Sequence, residues 1–239
     1  MKTTIIFFLI SMCVSSIASA QVKVLKAFYS CETKIPEKIK NIENEQIRTL
    51  AINKLKEEKQ SYVLYSCGGI YGFSAASNAF VGNSFVVEGK RSVYINFKTK
   101  EKICQEDILD KSFLIKGPLK ALQWNIKEEE KRICGKIAKK ATTMIDNKLI
   151  VAWYCEDIPS QVGPLGFHGL PGLIMELETE RVICTAVDIE ILTKELEITP
   201  PSKGEIMSRS AFDKLKEKKL KELGIDPNMK KGGIQVIKM

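Results

Sequence analysis

The sequence predicts an antiparallel α+β fold: a strongly bent, half-barrel-like β-sheet with N- and C-terminal helices. Two observations carry that expectation. Helical spacing of apolar residues is confined to the two ends, and seven or more short runs of β-formers separated by turns lie between them. Strand–helix alternation is missing, which argues against a doubly wound parallel sheet. With 239 residues, 44% hydrophobic and 28% charged, the chain has the composition of an ordinary globular protein. It is long enough to bury a core without help from disulfides or metal.

Residues 1–20, MKTTIIFFLISMCVSSIASA, read as a cleaved export signal. Lys2 supplies the positive end, Ile5 to Val14 the apolar centre, and Ala18-Ser19-Ala20 the cleavage site before Gln21. Cys13 follows Met12, where a lipid anchor would want a small residue, so export without lipidation is expected. No later run reaches the ~18 apolar residues of a membrane span. Residues 21–239 then form one domain.

In chain order, Pro36 starts a helix over Glu37 to Gln60, with Ile39, Ile42, Ile47, Leu50, Ala51 and Leu55 near helical spacing. Tyr62 to Tyr65 reads as a strand punctuated by Gly68-Gly69 and Gly72, and Ser74 to Asn83 as a loop. Phe85 to Val87, Ser92 to Phe97 and Ser112 to Ile115 are short strands. Trp124-Asn125-Ile126 begins another, broken by the charged Lys127 to Arg132. Ile133 to Ile145 and Lys148 to Cys155 form a hairpin around Asp146-Asn147, two residues that tolerate φ > 0. Leu173 to Glu178 and Arg181 to Leu192 form a second hairpin. Ser210 to Leu223 is an amphipathic helix capped by Ser210, with Phe212, Leu215 and Leu220 inward and Gly224 as its stop.

The net charge of +8 is concentrated in Lys-rich segments, Lys38 to Lys59, Lys127 to Lys140 and Lys214 to Lys231. These are either solvated faces or an attraction to an anionic envelope surface. Nucleic acid is not expected as a partner, because no basic run is interleaved with stacking aromatics. Losing Cys13 with the signal leaves Cys31, Cys67, Cys104, Cys134, Cys155 and Cys184. An exported chain with six cysteines is expected to form up to three disulfides, their connectivity open. A Cys134–Cys155 bridge is not among the expectations, because the Asp146-Asn147 turn places Cys155 opposite Ala138. No C-x-x-C pair occurs, and neither a metal nor a cofactor is expected.

The stretch from Trp153 to Glu178 is the most informative. Trp153-Tyr154, Ile158-Pro159, Gly163-Pro164 and Gly169-Leu170-Pro171-Gly172-Leu173-Ile174 occur in that order. Together they resemble the GLPGLI family of exported bacterial envelope proteins. The resemblance covers most of residues 85–195, more weakly through the Trp124 strand, Ile133-x-Gly135, Lys140-Ala141 and the Lys-rich C-terminal helix. Members often carry Gly-Tyr-x-Cys before the Lys-Ala pair. This chain has Gly135-Lys136-Ile137-Ala138, so no thiol role is carried over from that cysteine. The resemblance implies export and association with outer-envelope uptake systems, and it brings no catalytic residue. Physically, the prolines and glycines make a stiff loop that either holds a ligand or serves as an elbow packing Phe167 and Leu170 inward. The candidate binding residues are Trp153, Gly163, Pro164, His168, Gly169, Leu170, Pro171 and Gly172.

For catalysis, His168 is the sole histidine and the natural general base. Gly72-Phe73-Ser74-Ala75-Ala76 is a near miss to G-x-S-x-G, and Ser74, Asp157 and His168 follow the order of a serine hydrolase triad. Glu176, Glu178 and Glu180 alternate along a strand and could chelate a hard cation, act on a sugar, or form the solvent face of an amphipathic strand. Nucleotide-binding, zinc-protease and calcium-loop motifs are absent. The expectation is therefore an exported, non-catalytic binding or accessory protein of the periplasm or outer envelope, with a peptide, a lipid or an envelope protein as partner. The alternatives are a serine hydrolase using Ser74 and His168, and a purely structural envelope component.

Overall fold

The first described element is a strand with one buried apolar face and one mixed face that still contributes Val24 and Phe28 to a second core. A computed structural model describes residues 23–57, 60–77 and 80–222; the expected export signal, Leu223 and Gly224 lie outside them. β1 (Lys23–Thr33) turns Leu25, Ala27, Tyr29 and Cys31 to one core and Val24 to another. A strand that contributes to cores on both sides belongs inside a sheet, and β1 lies between β2 and β13.

The remaining elements are α1 (Glu37–Lys40), α2 (Glu45–Glu57), β2 (Gln60–Cys67), β3 (Ile70–Ala75), β4 (Phe80–Val81), β5 (Ser84–Val86), β6 (Ser92–Asn96), β7 (Glu101–Ile108), β8 (Lys111–Pro118), β9 (Asn125–Ile133), β10 (Lys136–Ile145), β11 (Lys148–Cys155), β12 (Leu173–Glu178), β13 (Val182–Thr193), β14 (Glu197–Thr199), β15 (Glu205–Met207) and α3 (Arg209–Glu222). Twelve strands form one mixed, mostly antiparallel sheet in the order β15-β8-β7-β6-β3-β2-β1-β13-β12-β11-β10-β9. Its end strands β15 and β9 do not pair with each other, so it is not a closed barrel. The parallel pairings are β15 on β8 and, in a separate three-stranded sheet, β14 on β5.

One face of the central strands carries Tyr29, Leu64, Tyr71, Phe73 and Ile95, packed against Ile158, Val162, Leu173 and Met175. The opposite face carries Val63 and Tyr65 beneath Phe85, Val87 and Ile198 of the small sheet and its surroundings. A third cluster, Ala141, Ile150, Ala152, Tyr154, Ile174 and Leu177, stiffens the β10–β12 wing. α3 seats Phe212 against Phe113 and Ile115 of β8.

The hairpin around Asp146-Asn147 forms as expected, with φ of 50° and 58° at those residues and Ile145 opposite Lys148. In that register Tyr154 faces Lys139, which keeps Cys155 away from Cys134. The β12–β13 hairpin also forms.

Other expectations need correction. Among the described residues no helix precedes β1: the helical stretch follows it and splits into α1 and α2 at Asn41–Asn44, with Asn44 Oδ1 accepting from the Ile47 N–H. Ser74 and Ala75 belong to β3 rather than to a loop. The charged run Lys127 to Arg132 does not interrupt its strand but is β9 itself. β9 is an edge strand, where charge on both faces costs little and discourages pairing with another chain. The cap of α3 is Ser208, whose Oγ accepts from the Ala211 N–H, and not Ser210.

Among the described residues one disulfide forms, Cys31–Cys184, between residues directly opposite on β1 and β13. Cys67, Cys104, Cys134 and Cys155 are free. Cys67 and Cys104 sit on opposite faces of the sheet, and the Cys134 thiol donates to the Ala186 carbonyl (3.1 Å).

Candidate functional site

The Gly- and Pro-rich segment leaves β11 at Cys155, crosses the apolar face of the sheet, and returns as β12. Ile158, Val162 and Leu165 pack into the central core, while Leu165, Phe167 and Leu170 reach the β10–β12 cluster. The segment folds on itself through a Val162–His168 bridge, a Gly169 N–H bond to the Gln161 carbonyl (2.9 Å), and a single 3-10 turn at Pro164–Gly166.

Side-chain hydrogen bonds, those of Tyr71 and Trp124 among them, fix it in place. The Tyr71 hydroxyl donates to the Gly163 carbonyl (2.7 Å) and accepts from the Gly166 N–H (3.2 Å). The Trp124 indole N–H donates to the His168 carbonyl (2.9 Å). Tyr71 is fully buried, so its pKa is driven well above the usual tyrosine value and it stays a neutral donor. At Gly163 a side chain would collide with Ile174, and at Gly172 with the Cys155 carbonyl. Those glycines are there for close approach.

Of the residues expected to bind, Gly163, Pro164, His168, Leu170 and Gly172 are buried, whereas Gly169 and Pro171 are exposed. Trp153 is half-buried on β11, its ring covered by the Lys131 and Lys140 ammonium groups at 4.4 and 5.8 Å. The loop is thus largely a plug in the face of the sheet.

His168 Nδ1 lies 3.1 Å from the Gly166 carbonyl, which can only accept, so this nitrogen carries the proton. The ring stands edge-on to Phe97. Burial holds the imidazole below its usual pKa, helped by the Lys102 ammonium and opposed by hydrogen bonds with the backbone of Gly166 and Lys120. Ser74 does not meet it. Strand alternation puts Tyr71 and Phe73 on the face carrying the loop and turns Ser74, paired with Val63, to the other face. Asp157 is exposed in the turn after β11. The three residues of the hydrolase alternative are not brought together. Glu176, Glu178 and Glu180 pair with Lys131 (2.6 Å), Lys34 (2.6 Å) and Lys148 (3.0 Å). Among the described residues no cluster of three His, Cys, Asp or Glu side chains could hold a metal ion.

The open feature lies beside the plug. A cleft of about 1530 Å³ runs from α1 across β6 and β7 to α3. Val93, Cys104 and Leu165 form its floor, and Ile35, Ile39 and Ile42 its wall on the α1 side. Basic residues surround this apolar surface: Lys102 from β7, Lys90 and Arg91 before β6, Arg181 from the β12–β13 turn, and Arg209 from α3. Lys102 Nζ donates to the Gly166 carbonyl (3.3 Å) and joins cleft and plug. Arg209 bonds Glu106 (2.6 Å), and the Tyr62 hydroxyl donates to Gln60 (2.7 Å). The Cys104 thiol is pushed up by burial, against the pull of Lys102 and Arg209.

Sequence reasoning passed over this cleft. Lys102, Cys104 and Glu106 alternate along β7 and so share one face, which was the available signal, but β7 was not recognised as a strand.

A family model described as a protein of unknown function (Porph_ging) matches residues 118–176, from the end of β8 into β12 and including Gly169–Ile174. No curated protein matches the chain. Two solved structures of PNGF-II, in P21 and C2 space groups, are similar in fold, at 14% and 13% identity with TM-scores of 0.53 and 0.51. Each match covers 82% of this chain but 34% and 33% of the other. The chain spans about a third of the length of those proteins, and the likeness is one of fold.

Proposed function

We propose that this protein is an exported, non-catalytic binding or accessory protein of the bacterial envelope, and that the cleft between α1, β7 and α3 is where its ligand or partner sits. The observation that supports this reading is the cleft itself, an apolar floor open to solvent and surrounded by basic side chains. In this reading the sheet bends as a half-barrel around the Gly- and Pro-rich plug. The plug makes the sheet rigid, and the cleft beside it does the binding. The dispersal of Ser74, Asp157 and His168 weighs against the hydrolase alternative.

Native mass spectrometry on protein drawn gently from its own cell envelope tests the reading. The expected result is an excess mass that disappears on denaturation and is missing from the Ile39→Glu variant, which places a charge in the cleft wall. A bare mass for both proteins speaks for a purely structural role. Fractionation of the cells should place the protein outside the cytoplasm.

A further inference from the structure

Resting on the reading of the cleft as a binding site, we infer that its ligand is a lipid with an anionic head, the carboxylate or phosphate seated at Lys102 and the chain lying on Val93, Cys104 and Leu165. The charge arrangement comes first. Of the four carboxylates in the cleft walls, Glu37, Glu106 and Glu180 are ion-paired with Lys40 (2.7 Å), Arg209 (2.6 Å) and Lys148 (3.0 Å), and Asp107 accepts from the Ser112 hydroxyl (2.8 Å). Among the described residues, none of Lys90, Arg91, Lys102 and Arg181 has a carboxylate within 4.0 Å, so the cleft carries an excess of positive charge.

Lys102 is the informative one of the four. It is half-buried, and the neutral Gly166 carbonyl is the acceptor it reaches at 3.3 Å. An ammonium withdrawn from water gains most from a charged acceptor. Gly166 keeps the space beside it open, since a Cβ there would stand 2.9 Å from Lys102 Nζ.

The floor decides between a lipid and an extended peptide. A peptide strand is recognised through backbone hydrogen bonds at a free sheet edge. β6 and β7 offer no such edge, because β6 pairs with β3 and β7, and β7 pairs with β8. Their face presents side chains alone, apolar in the middle and basic around, which suits an apolar chain ending in an anion. A free inorganic anion would use the rim and leave the floor unused.

Calorimetry on the exported chain, with a long-chain carboxylate, the alcohol of the same chain length, and inorganic phosphate as separate probes, tests the inference. The carboxylate should bind about tenfold tighter than the alcohol, the effect of one charge-assisted contact, and phosphate should bind far more weakly than either. Lys102→Gln keeps an N–H donor for Gly166 but loses the charge, and it should erase the difference between carboxylate and alcohol. Arg91→Gln with Arg181→Gln changes two exposed residues, reduces the same preference, and guards against misfolding of the Lys102 variant. Equal binding of carboxylate and alcohol, or phosphate binding as tight as the carboxylate, overturns the inference. If Ile39→Glu leaves the affinity for every probe unchanged, the cleft is the wrong site and the underlying reading fails with it.

Discussion

The plug and the cleft share Leu165 and Lys102 and lie on the same side of the sheet, yet one is filled and the other open. In the plug, backbone replaces side chains: Gly163 and Gly172 let the main chain press against Ile174 and the Cys155 carbonyl, and Tyr71 satisfies the polar groups this buries. In the cleft, side chains line an open space, and among the described residues Lys90, Arg91, Lys102 and Arg181 face it with no carboxylate within 4.0 Å. Residues that mark a sequence most strongly can therefore be those that close a structure, while the surface available to a ligand is built from ordinary strand residues.

The contrast is broken most severely at Gly172. Ala there drives a methyl group into the Cys155 carbonyl, and we expect a loss above about 3 kcal/mol in chemical denaturation. Gly169 is the control, because its Cβ would meet nothing closer than Trp124 Nε1 at 3.9 Å. Its φ of +91° limits the cost of Ala to strain of about 1 kcal/mol. Equal losses at the two sites would mean that the loop is not packed as a plug.

Next in size is Tyr71→Phe, which strands a buried carbonyl at Gly163 and a buried N–H at Gly166. A loss of about 1–3 kcal/mol is expected, without change in ligand affinity.

A smaller effect belongs to His168. Its folded pKa lies below the unfolded value of 6.5, so the unfolded chain binds more protons in that window. The sign is then fixed: stability from this group is complete above about pH 6.5 and falls as the pH drops toward the folded pKa. As the sole histidine, its ring resonance should titrate below 6.5 by proton NMR, and His168→Gln should flatten stability across that interval. A midpoint at the ordinary value of 6.5 would mean that the plug is open to water. The smallest effect is expected at the rim: Arg91→Gln should leave stability within about 0.5 kcal/mol while weakening anion binding.

Local chemistry was legible in the sequence. Asp146-Asn147 announced its hairpin, and the same register argument kept Cys134 and Cys155 apart. Phe212 and Leu215 revealed the inner side of α3. The elements missed were those whose meaning depends on distant partners. β1 interrupts its alternation with Val24 and Phe28 on the face that also carries Lys26, Ser30 and Glu32, and β7 alternates Lys102, Cys104 and Glu106 on one face, which reads as polar until Val93 and Leu165 are seen beside it. The Lys127 to Arg132 run looked like a break because charge suits a strand only at a sheet edge, and edge position is set by the whole sheet. As for the candidate site, the motif pointed at the right side of the sheet and at the wrong surface, since a close-packing glycine and a ligand-contacting glycine leave the same letter.

The central claim is that ligand meets the cleft and not the motif loop. Its most direct test is a map of amide chemical shifts on adding the long-chain carboxylate to the isotope-labelled protein. The account predicts perturbations at Arg91 to Val93, Lys102 to Glu106 and Thr179 to Val182, with Gly169 and Leu170 unmoved. Shifts confined to Trp153 and Gly169 to Gly172 would contradict it and return the binding site to the motif.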